Sequence, residues 1–201
     1  MRFSPQEFAD LDLEAHQVLR GVPLNDVSVV DLPCGDAART IEDVRALMPS
    51  PGSGSSSALV RALFWLRHAL GRLFGWDPVE EGLPAESYVH RLPPELASRS
   101  SVQPGTREGP FRVLYVLPGE SVSEIRNATV HAFSCMAIRP TAEGQRLYWA
   151  VYVKPVSRWT SAYMALIEPF RRFIVYPRIL RQLRDAWRTA YAEPGAATEH
   201  G

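Results

Sequence analysis

The chain has 201 residues, 46% of them apolar, which suits one domain of ordinary size with a buried core. Its 22 basic residues balance 22 acidic ones, so no overall charge attracts it to nucleic acid or to an anionic membrane. No apolar run reaches the ~18 residues that a membrane span needs, and the N-terminus lacks the apolar segment of a signal peptide. These features predict a cytoplasmic protein without stable membrane insertion or a nucleic-acid partner.

Common catalytic and metal-binding signatures are missing from the sequence. The two cysteines, Cys34 and Cys135, stand too far apart for a metal-ligand spacing. The serine-hydrolase elbow, the zinc-binding His-Glu-x-x-His motif and the dinucleotide fingerprint do not occur. Cys34 follows a predicted strand and could act as a nucleophile, although a buried thiol is the simpler interpretation. We therefore expect neither a metal nor a cofactor.

The first part of the chain alternates short helical and strand-like segments. Residues 1–20 are predicted to be an N-terminal arm with a short helix, in which Pro5 takes the first helical position. The valine-rich segment 26–32 predicts the first strand. Thr40 and Asp43 then form a capping-box pattern, which predicts the start of a second helix.

Two segments with contrasting composition follow. Residues 49–57 are rich in glycine and serine and are predicted to be a flexible loop, since the Lys-Ser/Thr pair of a phosphate loop does not follow them. Residues 58–76 predict an amphipathic helix with leucines on one stripe and arginines, a tryptophan and a histidine on the other. Such a helix packs its leucines on a sheet, or lies as a basic amphipathic helix on a membrane. The second interpretation implies weak peripheral association with a membrane, or binding of a partner.

Alternating apolar residues predict an antiparallel sheet in the second half of the chain. Residues 111–117 and 147–153 each show the period of two that is typical of a strand. Between them, residues 122–138 form either one bent strand or two strands broken near Asn127. A further short strand is predicted at 87–92, ahead of the others.

The pattern changes to a helical period from Thr160 onward. Apolar residues at three- and four-residue steps predict a long C-terminal helix, with arginines on its outer side. Pro169 and Pro177 are each expected to kink or restart this helix. The tail 193–201 is predicted to be disordered, which leaves residues 21–192 as the single main domain.

The order of these elements resembles the helix-grip fold of START domains and of the Bet v 1-like, polyketide-cyclase-like (SRPBCC) superfamily. The local sequence also resembles the DUF2867 family of uncharacterised proteins. The residues that carry this second resemblance are the strands 127–133 and 147–153 and the helix residues Tyr163, Leu166, Ile167, Pro169, Phe170, Ile174 and Val175. The resemblance implies an α+β fold, in which a curved antiparallel sheet wraps around the C-terminal helix and two helices lie between the first and second strands.

A helix-grip fold encloses a cavity, so the expected function is binding of a small hydrophobic molecule, lipid-like or polyketide-like. The residues expected to line the cavity are Tyr115, Phe133, Trp149, Val151 and Phe170. An alternative is an enzyme of cyclase, dehydratase or hydrolase type, in which His131 and Glu124 move protons in the same cavity. Glu124, Arg126 and His131 could form one polar cluster, but the alternation pattern leaves the face of His131 undecided.

Overall fold

A computed structural model describes residues 2–3, 5–33, 38–48, 83–126, 130–156, 164–165, 169 and 171–191. Several sequence predictions lie outside these residues: the loop 49–57, the helix 58–76, the tail 193–201, and the positions of Cys34 and Phe170.

The N-terminal part contains short helices around one long strand. The elements are β1 (Arg2–Phe3), α1 (Pro5–Ala9), α2 (Glu14–Val18), β2 (Leu24–Pro33) and α3 (Ile41–Leu47). Helix α1 begins at Pro5, as predicted. Helix α3 begins directly after Thr40, whose backbone N–H donates to the Asp43 carboxylate at 2.8 Å, so the predicted capping box forms.

The second half contains most of the sheet and the C-terminal helix. Its elements are a 3-10 helix (Tyr88–Arg91), α4 (Pro94–Arg99), β3 (Arg107–Glu108), β4 (Phe111–Leu117), β5 (Glu120–Arg126), β6 (Val130–Thr141), β7 (Gly144–Pro155), a π-helical segment (Arg171–Val175) and α5 (Tyr176–Tyr191). The segment predicted at 122–138 is therefore two strands, β5 and β6.

The strand predicted at 87–92 is wrong, because these residues form the 3-10 helix. The hydroxyl oxygen of Ser87 accepts a hydrogen bond from the backbone N–H of Val89 at 3.2 Å and stabilises a tight turn in place of an extended chain. Tyr88 is buried against the sheet from within this turn. Tyr88 therefore packs its side chain against the sheet without being part of a strand.

Within the described residues, the strands form one seven-stranded antiparallel sheet in the order β1-β2-β7-β6-β5-β4-β3. Strands β6 and β7 are each 12 residues long and pair along their whole length, from Val130 opposite Pro155 to Thr141 opposite Gly144. Together with helix α5 this sheet defines an α+β protein.

Helices pack on both faces of the sheet. We call the two faces the N-terminal face and the C-terminal face, after the helices that cover them. The N-terminal face packs against α1, α2, the 3-10 helix and α4, through Phe8, Leu13, Ala15, Leu19, Tyr88 and Leu96. The C-terminal face packs against α3 and α5, through Ile41, Val44, Leu180, Leu183 and Trp187. The sheet is thus a middle layer, and its central strands are apolar on both sides.

Helix α5 runs along the C-terminal face with one stripe buried. The Trp187 indole N–H donates to the carbonyl oxygen of Pro33 at 2.9 Å, at the end of β2. Pro177 is the second residue of α5, directly after the π-helical segment, so the helical hydrogen-bonding pattern changes at this proline. None of the described helices is long and apolar enough to cross a bilayer. The cytoplasmic location stays a prediction.

Candidate functional site

The sheet separates the residues that were expected to line one cavity. Tyr115 and Phe133 are buried on the N-terminal face, whereas Trp149 and Val151 lie on the C-terminal face. The pairing register decides this, because Phe133 stands opposite Tyr152 of β7 and shares its face. Trp149 lies three residues from Tyr152 on β7, and an odd separation along a strand places it on the other face. The two pairs therefore cannot line one cavity on one side of the sheet.

His131 and Glu124, the candidate proton-transfer residues, meet on the N-terminal face. The Nε2 atom of His131 lies 2.8 Å from the Glu124 carboxylate, and both side chains are almost completely buried. Because a carboxylate only accepts hydrogen bonds, Nε2 of His131 carries the proton. Arg126, the third residue of the predicted cluster, pairs instead with the exposed Glu86 at 3.4 Å.

The Glu124 carboxylate also holds the segment that leads into the 3-10 helix. It accepts a hydrogen bond from the Ser87 hydroxyl and another from the backbone N–H of Tyr88, the latter at 3.0 Å. Burial alone would raise the pKa of this carboxyl group. The hydrogen bonds, with the one from His131 foremost, outweigh burial and hold the pKa of Glu124 below its ordinary value of 4.5.

This arrangement differs from a catalytic triad in the order of its contacts. In a triad the serine donates to the histidine, whereas here Ser87 and His131 both contact the carboxylate. The aromatic rings of Tyr88 and Phe133 enclose the imidazole, with ring centroids 5.4 and 4.5 Å away. The geometry is that of a buried carboxylate whose two oxygens both accept hydrogen bonds, and these bonds hold the 3-10 helix against the sheet.

A second buried carboxylate on the N-terminal face, Glu120, was missed by the sequence analysis. One of its oxygens accepts from the Tyr115 hydroxyl and from the backbone N–H of Glu14 at the start of α2, both at 3.0 Å. Its other oxygen has no hydrogen-bond partner among the described residues. Burial raises the pKa of Glu120 above its ordinary value.

Glu120 also influences its neighbours on this face. Burial, followed by the charge of Glu120, raises the pKa of the Tyr115 hydroxyl and of the Cys135 thiol. Both groups therefore stay neutral, and Cys135 has none of the thiolate character of a nucleophile. One sequence signal could have found Glu120, because it shares the period of two with Val122 and Glu124 and so lies on the same face of the strand. Its position directly after the Pro-Gly turn made it look like a polar turn residue.

The C-terminal face has a different character in the middle of the sheet. On the central strand β6, Ala132, Ser134 and Met136 are only half-buried, although their immediate neighbours on the opposite face are buried. Trp149 of β7 is also half-buried, and its indole N–H donates to the Ser134 hydroxyl at 2.8 Å. We call these four residues the central patch.

Hydroxyl groups surround the central patch. Ser121 stands opposite Met136, and Ser28 stands opposite Trp149. Both serines are 1% exposed, and neither hydroxyl has a hydrogen-bond partner among the described residues. The aromatic ring of Tyr176, at the start of α5, lies beside Trp149 with centroids 4.8 Å apart. The central patch therefore presents an apolar surface, with the buried hydroxyls of Ser28 and Ser121 beside it.

Within the described ranges, no group of three or more His, Cys, Asp or Glu side chains is placed to hold a metal ion. The residues of the two faces described above offer hydrogen bonds and apolar contact.

The fold and the site define an α+β protein whose antiparallel sheet is covered by helices on both faces. Within that class the chain belongs to the family described as protein of unknown function (DUF2867), whose model matches residues 18–178. This match confirms the resemblance seen in strands 127–133 and 147–153. No curated protein and no solved structure matches the chain at a significant level.

Proposed function

We propose that the protein binds a small hydrophobic molecule with at least one polar group, against the central patch of the C-terminal face. The observation that carries the proposal is the half-buried surface of Ala132, Ser134, Met136 and Trp149 in the middle of a wide sheet. Central strands of a sheet with helices on both faces are normally covered on both sides. A partly accessible apolar surface at that place is typical of a ligand site.

The packing of the helices explains why this surface stays accessible. Helix α5 lies over β2, where Leu180 and Leu183 contact the cluster around Val30 and Leu32. The central patch lies further across the sheet, on β7 and β6. The described helices therefore border the patch and do not cover it fully.

The chemistry of the patch favours an amphipathic ligand. Its body would contact Met136 and the indole of Trp149, as apolar ligands do in most pockets. The hydroxyls of Ser28 and Ser121 would bond a ligand hydroxyl, carbonyl or carboxylate, because a buried hydroxyl without a partner costs free energy. A lipid-like or polyketide-like molecule meets both requirements.

We also propose that the fold is a variant of the helix grip. The sheet order and the C-terminal helix on one face support this assignment. The helices α1, α2 and α4 form an additional layer on the opposite face, beyond what the helix grip requires. The ligand would then lie between the sheet and the C-terminal segment, on the C-terminal face only.

The enzyme alternative has less support from the geometry. His131 and Glu124 lie on the N-terminal face, so the sheet separates them from the central patch. The Nε2 atom of His131 and both carboxylate oxygens of Glu124 are also occupied, by one another, by Ser87 and by Tyr88. A peripheral membrane role for the helix 58–76 concerns residues outside the described ranges.

Titration with 11-(dansylamino)undecanoic acid tests the proposed binding. Excitation of tryptophan should produce saturable dansyl emission, because a probe on the central patch lies beside Trp149. We expect Ser134→Phe, which fills the patch with a larger side chain, to weaken binding by at least about tenfold. Native mass spectrometry of the purified protein, followed by extraction, would identify a ligand that co-purifies.

The matched control is Thr141→Phe, which adds a side chain of the same size at the exposed end of the same strand. It should bind the probe like the wild type. Ala132→Leu is a milder filling variant, for use where circular dichroism shows that Ser134→Phe has lost its fold. Probe binding that is absent in the wild type, or equal in the folded filling variants, would contradict the proposal.

A further inference from the structure

The C-terminal helical region is strongly basic in a chain with no net charge. Residues 171–191 contain six arginines and one aspartate, whereas basic and acidic residues are equal in number over the whole chain. The remainder of the chain therefore carries an equal excess of acidic residues. Such an asymmetry gives the molecule a positive side despite its overall neutrality.

Two of the arginines of α5 lie on its outer side. Buried residues Tyr176, Leu180, Leu183 and Trp187 occupy the stripe that faces the sheet. Arg181 and Arg188 are exposed and stand seven residues apart, which is two helical turns and about 10 Å along one side of the helix. These two guanidinium groups therefore point the same way into solvent.

An exposed aromatic side chain stands at the beginning of this helical region. Phe173 is 72% exposed, and the guanidinium of Arg172 lies 5.9 Å from the centre of its ring. The other large apolar side chains exposed in the described ranges are Leu24, Leu83 and Val156.

Two of these three belong to the same end of the sheet as Phe173. Leu24 pairs with Tyr152 near the end of β7, and Val156 directly follows that strand. Val175, two residues after Phe173, packs against the apolar cluster that contains Val153 of β7. Exposed apolar side chains thus collect at one end of the molecule, near the beginning of α5.

We propose that the outer side of this helical region docks on an anionic membrane surface, with Phe173 inserted at the interface and Arg181 and Arg188 facing lipid headgroups. We call Phe173, Arg181 and Arg188 the docking surface. An exposed phenyl ring beside arginines on an amphipathic helix is the pattern of interfacial binding. Each basic residue near an anionic bilayer strengthens binding by roughly fivefold.

A nucleic-acid partner fits these residues less well. Binding of single strands uses several exposed aromatic rings on which bases stack. In the described ranges Phe173 is the one large aromatic side chain that is exposed. It precedes Arg181 and Arg188 and does not lie between them. The membrane proposal does not depend on the central patch or on its ligand.

Co-sedimentation of the full chain with vesicles tests the proposal. We expect the wild type to sediment with vesicles of equal parts phosphatidylcholine and phosphatidylserine, and to stay in solution with phosphatidylcholine alone. Higher salt should weaken the binding. Phe173→Ser should reduce binding by about tenfold, because it removes the inserted apolar group. Phe173→Trp, which keeps an interfacial aromatic ring, should restore binding.

The matched control is Leu83→Ser, an exposed apolar residue that lies beside Gly105, near the opposite edge of the sheet. It should bind as the wild type does. The double variant Arg181→Gln, Arg188→Gln should lose binding to the anionic vesicles by at least about tenfold. The docking surface is rejected by a wild type that stays in solution with both vesicles, or by a Phe173→Ser variant that binds normally. Release from the vesicles by equimolar single-stranded DNA would assign the arginines to nucleic acid instead.

Discussion

At the residue scale, Glu124 accepts hydrogen bonds from three groups in two separate parts of the chain. Its carboxylate bonds the hydroxyl of Ser87, the backbone N–H of Tyr88 and the imidazole of His131. A buried carboxylate is stable only when such donors compensate for its lost hydration. The contact between Glu124 and His131 was anticipated as a polar cluster, and its geometry indicates a structural role.

We expect Glu124→Gln to destabilise the fold by roughly 2–4 kcal/mol at neutral pH. The amide keeps the shape of the side chain, but its NH2 group must face one of the buried donors. Urea unfolding followed by circular dichroism measures this loss. The matched control is Glu86→Gln, which changes an exposed carboxylate and should cost less than about 1 kcal/mol. Equal effects of the two substitutions would contradict the role given to Glu124.

Comparison of the wild type with Glu124→Gln at different pH values tests whether folding lowers the pKa of Glu124. A carboxyl group whose pKa is lowered by folding stabilises the protein above its ordinary pKa of 4.5, and this contribution is lost as pH falls further. The stability difference between the wild type and Glu124→Gln should therefore be constant near neutral pH. It should narrow below about pH 4.5, because Glu124 of the unfolded chain then takes up a proton more readily than the folded carboxylate does. A difference that widens in acid would show that the pKa is raised.

At the scale of elements, helix α5 shows how one amphipathic segment serves two purposes. Its inner stripe closes the core on the C-terminal face through Leu180, Leu183 and Trp187. Its outer stripe carries the arginines of the docking surface. The inner stripe determines stability, and the outer stripe can change without a cost to folding.

We predict that Leu183→Ala will lower the free energy of unfolding by about 2–5 kcal/mol, because Leu183 is fully buried and its loss leaves a cavity. Arg188→Ala, on the exposed side of the same helix, should change it by less than about 0.5 kcal/mol. Thermal unfolding of both variants measures the difference. A small effect of Leu183→Ala would mean that α5 is not anchored to the sheet as described.

At the scale of the whole molecule, the N-terminal arm is part of the core. Phe8, Leu13, Ala15 and Leu19 are buried with the N-terminal face of the sheet, although residues 1–20 were predicted to precede the main domain. Glu120 strengthens this attachment by accepting the first N–H of α2. The arm and the sheet therefore bury one another.

We expect a chain that lacks residues 1–20 to be insoluble or to lose cooperative unfolding, because the deletion exposes the apolar N-terminal face. Phe8→Ala in the full chain should cost about 3–5 kcal/mol. The exposed neighbour Gln6 provides the control, and Gln6→Ala should be close to neutral. Gel filtration and calorimetry measure these outcomes, and a truncated chain with an unchanged melting temperature would show that the arm is dispensable.

Much of the secondary structure could be predicted from the sequence, because it depends on local patterns. Strand β4 occupies residues 111–117 as predicted, α1 starts at Pro5, and the capping box of Thr40 and Asp43 forms. These features depend on alternation and on contacts within one turn of chain. The 3-10 helix was missed because the bond from Val89 to Ser87 is specific to that turn.

The sequence by itself determined the α+β class, most strands of the sheet, the amphipathic C-terminal helix and membership of the family, since all of these depend on residue types and their spacing. Only the tertiary structure decided which face each strand presents to which helix. It placed Phe133 and Trp149 on opposite faces, and it brought Glu124 to Ser87 and His131. The physical reason is that β7 is apolar on both sides, so its alternation alone does not distinguish the faces. The pairing register and the long-range packing of helices make that distinction.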